Sequence, residues 1–250
     1  MRTLVFVWGL LFATTLHAQG TGELTGRFVL DGPLPQPARL ANDKGLELYD
    51  ESLLVDLETY GIANIVVYLY LKPGEEPPKH PESVRPTARI VAKGYQYRPH
   101  ISVVHSQAGA TFHNADAHAH HFQSLWVDMQ LDPGGETTIP HPLRTYLPDS
   151  ITSRLYPWMR GYFLVTDHPF VAVTDVAGRF TIPDLPPGEW TFRVWHERTG
   201  YIENVVDAGG QKAEWPKGRF TLTIKPGEND LGWISVTPEE LEPPGTKRKK

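Results

Sequence analysis

Apolar positions along the chain come in short runs separated by clusters of Gly, Pro, Asn and Asp. Period-two alternation is clearest at 179–194, "RFTIPDLPPGEWTFRV". Phe180, Ile182 and Leu185 fall on one side there, and Trp190, Phe192 and Val194 do the same. That pattern predicts two strands, joined by a turn over Asp184–Gly188 in which Pro186 and Pro187 fix the backbone. Similar runs follow at "GRFTLTI" and "LGWISV", and earlier ones occur at "GELTGRFVL" and "ANIVVYLYL". Residues 88–166 add their own series of short runs, broken by "DPGGE". Helical periodicity is confined to a turn or two around "DKGLELYDESLL". The fold class this implies is all-β, many short strands linked by tight turns.

The N-terminus changes the picture at one point. Arg2, the apolar run "LVFVWGLLFATTL" and then "HAQG" follow the plan of a secretory signal peptide cut after Ala18, and the run is short for a membrane span. The expectation is an exported protein, periplasmic or extracellular, with no transmembrane segment after cleavage. The formal charge of −5 becomes −6 without Arg2, and the cations at 247–250 leave −10 for the body. An acidic body offers no basic face for nucleic acid. The end, 237–250, reads as a disordered charged tail. There is no cysteine, so neither disulfides nor thiolate ligands nor a cysteine nucleophile are available.

The order G-x-L-T-G-R-F-V at 22–29, N-I-V-V-Y-L at 64–69 and T-D-x-x-G-R-F-T-I-x-x-L-P-P-G-x-W-x-F-R-V at 174–194 resembles a carboxypeptidase regulatory-like domain. That family is a small transthyretin-like, carbohydrate-binding-like β-sandwich. The resemblance covers 19–75 and 163–236 and makes 76–162 an insertion. Within the insertion, "ISVVHSQAGATFHNADAHAHHF" followed by "SRLYPWMRGY" resembles the middle strands and ligand loop of a cupredoxin. The combination is similar to exported bacterial proteins labelled methylamine-utilisation-like or cupredoxin-like, most closely over 157–181. The architecture implied is a pair of Greek-key β-sandwiches.

Placed on the cupredoxin pattern, His120 matches the first histidine ligand, Ser153 the cysteine, Tyr156 the second histidine and Met159 the weak axial ligand. A blue-copper centre needs two imidazoles and a thiolate, so type 1 copper is not expected and the loop reads as degenerate. Pro157, Trp158, Met159 and Gly161 then serve to lead the chain into the next strand. Six of eleven histidines lie at 100–121. On an extended segment His118 and His120 share a side and His121 points away, so His118 and His120, with His113 or Asp116, form a candidate site for Cu or Zn. Solvated loop histidines and a pH-sensitive packing contact are the competing readings.

Elsewhere, "RVWHE" at 193–197 ends a strand with Trp195 and His196, as a functional surface or as a Trp packed on a neighbouring sheet. Trp126, Trp158, Trp190, Trp215 and Trp233 include candidates for sugar stacking, most of them expected in the core. "DHPF" at 167–170 reads as a connector. No G-x-S-x-G or H-E-x-x-H motif occurs. The reading is a non-enzymatic binding or structural protein with an unknown protein or polysaccharide partner. Copper or zinc binding, electron transfer and carbohydrate binding through the sandwich are its alternatives.

Overall fold

The computed structural model describes residues 20–40, 42, 44–80 and 87–243. The segment read as a signal peptide and the cations at 247–250 lie outside them. The chain runs through β1 (Gly22–Leu30) and β2 (Val66–Leu69) before a long excursion. The excursion comprises β3 (Ala88–Lys93), β4 (Gln96–Arg98), β5 (Ile101–His105), β6 (Ala110–Asn114), β7 (His120–Gln123) and β8 (Asp128–Leu131). It continues with β9 (Glu136–Ile139), β10 (Asp149–Thr152) and β11 (Arg160–Thr166). The return adds β12 (Val171–Val173), β13 (Arg179–Leu185), β14 (Gly188–His196), β15 (Gly200–Tyr201), β16 (Asn204–Val206), β17 (Lys212–Glu214), β18 (Arg219–Ile224) and β19 (Gly227–Val236). The protein is all-β.

Two sandwiches result. The outer one faces the sheet β13-β1-β19-β16-β17 with the sheet β12-β2-β14-β15, to which β18 adds by pairing with β14. Its core holds Phe28, Val67, Leu69, Phe180, Ile182, Leu185, Phe192 and Val194, which includes five of the six residues that alternation singled out at 180–194. The inner one faces β4-β3-β6-β9 with β5-β11-β10-β7-β8, around Ile90, Phe112, Phe122 and Phe163.

A third apolar layer lies where the sandwiches meet. Val66 and Tyr68 of β2 and Trp195 of β14 pack against Ile101 of β5 and Leu164 of β11. Trp195 meets Tyr162 with ring centroids 5.1 Å apart. Thus every residue of β2 is buried: Val67 and Leu69 face one core, Val66 and Tyr68 the seam. A strand covered on both faces reads as a continuous apolar run, and "IVVYL" does. Each large side chain in such a layer contributes about 1.5–3 kcal/mol of burial.

The T-D-x-x-G turn has a physical explanation. Thr174 Oγ1 donates to Ile62 O at 2.7 Å and accepts Ile65 N–H at 2.9 Å. Asp175 Oδ1 accepts Arg179 N–H at 2.9 Å. Gly178 has φ +78°, and a Cβ there would stand 2.0 Å from Phe28 O, so only glycine lets the turn close on β1.

Two expectations need correction, at 44–54 and at 237–243, and one joint turns out differently wired. No helix forms at 44–54: Asn42 Oδ1 accepts the N–H groups of Lys44 and Leu46, and Asp50 takes Ser52 N–H, so side chains hold the backbone in turns instead. The turn at 184–188 joins two strands, as alternation predicts, without pairing them to each other. β13 pairs with β1, whereas β14 pairs with β2 and β18, so the turn carries the chain between facing sheets. Residues 237–243 are not a solvated tail. Leu241 is buried in the outer core, and Glu240 accepts Glu203 N–H at 2.8 Å and Asn204 Nδ2 at 2.9 Å.

Candidate functional site

The inner sandwich ends in a tip built from the β3–β4 turn, the segment between β6 and β7, and the loop Ser153–Met159. Asn114, wholly buried, sets the second of these. Its Nδ2 donates to His118 O at 2.7 Å and to Leu131 O at 2.9 Å, and its Oδ1 accepts Asp116 N–H at 3.0 Å. Asp116 then binds the facing turn: Oδ1 accepts Gly94 N–H at 2.8 Å, and Oδ2 accepts Tyr95 N–H at 3.1 Å. The N-x-D pattern is therefore a clamp between two loops. Burial pushes the Asp116 carboxyl up, but those two N–H groups and His120 outweigh it and hold it below its ordinary value.

His120 lies at the centre with no exposed surface. Its Nε2 is 2.8 Å from Asp116 Oδ2; the ionised carboxylate only accepts, so the ring donates there and carries its lone pair on Nδ1. Nδ1 is buried and has no hydrogen-bond partner. Burial lowers the His120 pKa, and Asp116 offsets part of that. The Tyr156 ring stands 5.1 Å from the imidazole and the Tyr95 ring 5.6 Å. Tyr95 also meets Tyr156 at 4.8 Å and stacks on His118 at 5.8 Å.

The loop residues have other work. Ser153 Oγ accepts the N–H groups of Leu155 and Tyr156, each at 3.2 Å. Met159 is buried in the inner core, and its N–H closes a turn on Tyr156 O at 2.9 Å. His121 faces away from His120: its Nε2–H donates to Asp128 Oδ1 at 2.9 Å, and its Nδ1 accepts Arg154 N–H at 3.3 Å.

The candidate metal set is only partly assembled. His118 and His120 both reach Tyr95, although His118 lies in a bend ahead of β7 and not on an extended strand, and Asp116 joins them through His120. His113 sits instead on β6 beside Glu136 of β9, with Nδ1 3.6 Å from Glu136 Oε2. Among the described residues no group of three or more His, Cys, Asp or Glu side chains is placed to hold a metal ion. At the four positions of the cupredoxin pattern the donors are the His120 Nδ1 nitrogen, a hydroxyl already accepting two N–H groups, a phenol ring held in an aromatic cluster and a core thioether. That set does not fit type 1 copper.

Beside the tip, across Trp158 and Met159, a cavity of about 260 Å³ lies beneath residues 48–52 of the outer sandwich. His100 and Glu197 line it, and the sequence did not single them out as a pair. They are far apart in the chain, and the packing of β5 against β14 across the seam is not visible in either segment. The one signal was "RVWHE", whose Trp195 packs into the seam and whose last residue is Glu197.

No family model matches this chain, and no curated protein does. Solved structures similar to parts of it are cupredoxins and a copper enzyme. A purple cupredoxin from Nitrosopumilus maritimus is 17% identical over 32% of this chain and 99% of its own, with a TM-score of 0.28. The copper-containing nitrite reductase of Thermus scotoductus SA-01 is 14% identical over 37% of this chain, which spans 28% of that protein, with a TM-score of 0.30. An amicyanin variant in its oxidised state is 13% identical, covering 34% of this chain and 87% of its own, with a TM-score of 0.29. Likenesses this weak carry no conclusion about copper or activity here.

Proposed function

We propose that this is an exported, non-enzymatic binding protein whose tip is a packed histidine–tyrosine cluster without a redox centre. The observation that carries this is the use made of the loop: Ser153 Oγ is spent on two backbone N–H groups, and Tyr156 lays its ring on His120. Export rests on the N-terminal sequence pattern; within the described residues no helix is long and apolar enough to cross a membrane. Electron transfer by a blue-copper centre has no thiolate to work with.

Metal binding through the histidine cluster is the second reading, and one feature favours it. His120 offers a buried, unpartnered Nδ1 while a carboxylate orients its other nitrogen, the arrangement that metal-bound histidines adopt. Opposing it, three protein ligands are the usual minimum for a retained zinc. The deciding measurement is titration of residues 19–250 with Cu(II) and Zn(II), followed by metal analysis after desalting and by voltammetry. We expect no visible thiolate-type band, no reversible metal-centred wave and less than stoichiometric retention. One metal per chain, abolished by His118→Ala with His120→Ala, replaces the packed-cluster reading with metal carriage.

A further inference from the structure

The outer face of the sheet β13-β1-β19 sets two arginines side by side next to an open indole. Leu24 and Phe28 of β1 point into the core, so Thr25 and Arg27 between them point the other way. In register, Arg27 stands opposite Arg179 of β13 and Trp233 of β19, and Thr25 opposite Thr181 and Asp230. Those six residues line an open groove of about 450 Å³. Trp233 is 62% exposed, and Arg179, Thr181 and Asp230 are exposed as well.

Arg27 is held in this row. Its Nε donates to Ala177 O at 2.8 Å and its Nη2 to Thr59 O at 2.9 Å, and its guanidinium carbon sits 5.4 Å from the centroid of the Trp233 ring. Arg39, Arg89, Arg98, Arg144 and Arg154 each pair with a carboxylate; among the described residues Arg27 and Arg179 pair with none. Asp56, whose charge Arg27 feels, is taken by Thr59 N–H at 2.7 Å and Thr59 Oγ1 at 2.6 Å, and Asp175 Oδ1 by Arg179 N–H. Like charges directly opposite on paired strands are destabilising. An anion lying between the two guanidinium groups relieves a cost that the fold carries without it.

The other end of the groove is acidic. Asp230 Oδ1 accepts Gly232 N–H at 2.8 Å and the Thr25 hydroxyl at 3.3 Å, which leaves Oδ2 as an acceptor, and Glu228 lines the groove beside it. Two cations and two anions cancel, so the groove draws in no polyanion as a whole. It sorts a ligand by position instead. A carboxylate belongs at the arginines, whose forked donors match it; hydroxyls belong along Thr25, Thr181 and Asp230; an apolar ring face belongs on the indole. A phosphodiester chain, charged at every unit, would run its next charge onto Asp230 and Glu228. A peptide finds no unpaired backbone here, because β1 and β19 have neighbours on both sides. One ring bearing a carboxylate and several hydroxyls meets all three demands.

We propose that this groove binds an acidic saccharide, a uronic acid unit of a glycan chain, with its carboxylate on Arg27 and Arg179, its hydroxyls on Asp230 and the threonines, and its ring on Trp233. This deepens the binding-protein reading and rests on it.

The test is calorimetric and NMR titration of the folded chain with short oligomers of galacturonate and glucuronate, at low and at physiological salt. Their methyl esters, which keep the ring and lose the charge, serve as comparators, together with an oligo-aspartate peptide and inorganic phosphate. The variants are Arg179→Gln and Trp233→Ala, both at exposed positions where substitution leaves the fold standing, as melting temperatures verify. We expect saturable uronate binding, weakened about tenfold or more by either variant and by esterification, and weakened by salt. Esters that bind as tightly as the acids remove the arginines from the site and overturn the proposal. Uronate binding that survives both variants places the ligand elsewhere and overturns it too. Binding of the peptide or of phosphate alone, lost in Arg179→Gln, overturns the sugar class but leaves the binding-protein reading standing. No binding by any probe overturns the proposal; the binding-protein reading is then decided by the metal titration and voltammetry above.

Discussion

The tip and the cavity floor use the same pair of groups and come to different ends. At the tip, Asp116 orients His120; on the floor, Glu197 holds His100. Around His120 the chain supplies its own closure. Asp116 serves two backbone N–H groups as well, Ser153 serves two more, and tyrosine rings cover the imidazole. Around His100 the pair borders open volume, and as at His120 the second ring nitrogen, Nδ1, is buried without a hydrogen-bond partner. The tip is where sequence patterns point, and the floor holds a pair that they did not single out. A ligand-loop motif records how a chain turns; it does not mark where a histidine–carboxylate pair borders open volume.

The largest expected effect belongs to the seam that creates the cavity. Trp195→Ala removes the aromatic bridge to Tyr162 and is expected to cost about 3–5 kcal/mol. In urea unfolding followed by tryptophan fluorescence and circular dichroism, it should split one transition into two. A loss no larger than that from a tip substitution would erase the contrast.

The next effect concerns acid. His196, under the floor, is wholly buried; desolvation, then Arg198 and His100, push its pKa down to about 3. The unfolded histidine titrates near 6.5. Between those values the unfolded chain binds more protons than the folded one, so this contribution is complete above the window and is lost as pH falls through it. Melting temperatures measured from pH 7 to pH 3.5 should fall in wild type and fall less in His196→Leu. Equal slopes would show that the floor is not the acid-sensitive region.

The smallest effect is at the tip. Ser153→Ala leaves the Leu155 and Tyr156 N–H groups without their acceptor and is expected to cost about 1 kcal/mol, read as a shift of the denaturation midpoint. No shift would show that the loop holds its shape without the hydroxyl.

Much of the architecture was legible because it depends on local patterns. Alternation at 180–194 located β13 and β14. What escaped was set by long-range pairing. Nothing near Pro186 says that β13 and β14 join different sheets, since that depends on β1, β2 and β18. Leu241 was read with its charged neighbours, yet the outer core takes it in. At the site, the opposite facing of His120 and His121 was readable because both lie on one strand, β7. The separation of His113 from them was not, because it depends on β6 pairing with β9. Glu197 was invisible for a similar reason: a lone acidic residue after an aromatic strand gives no sign that a histidine nearly a hundred positions earlier will cover it.

The pairing of β2 with β12 has a consequence of its own. Tyr68 faces Val171 in antiparallel register, so the chain leaves the outer sandwich and returns to it at neighbouring points. The whole inner sandwich hangs from that sheet as an extended loop between adjacent strands. A short reverse turn in its place would reconnect the outer sheet without altering its register. The shortened protein would expose Val66, Tyr68 and Trp195 to water. It would gain a sticky apolar face, and the missing half, supplied as a separate polypeptide, would have a ready surface to dock on.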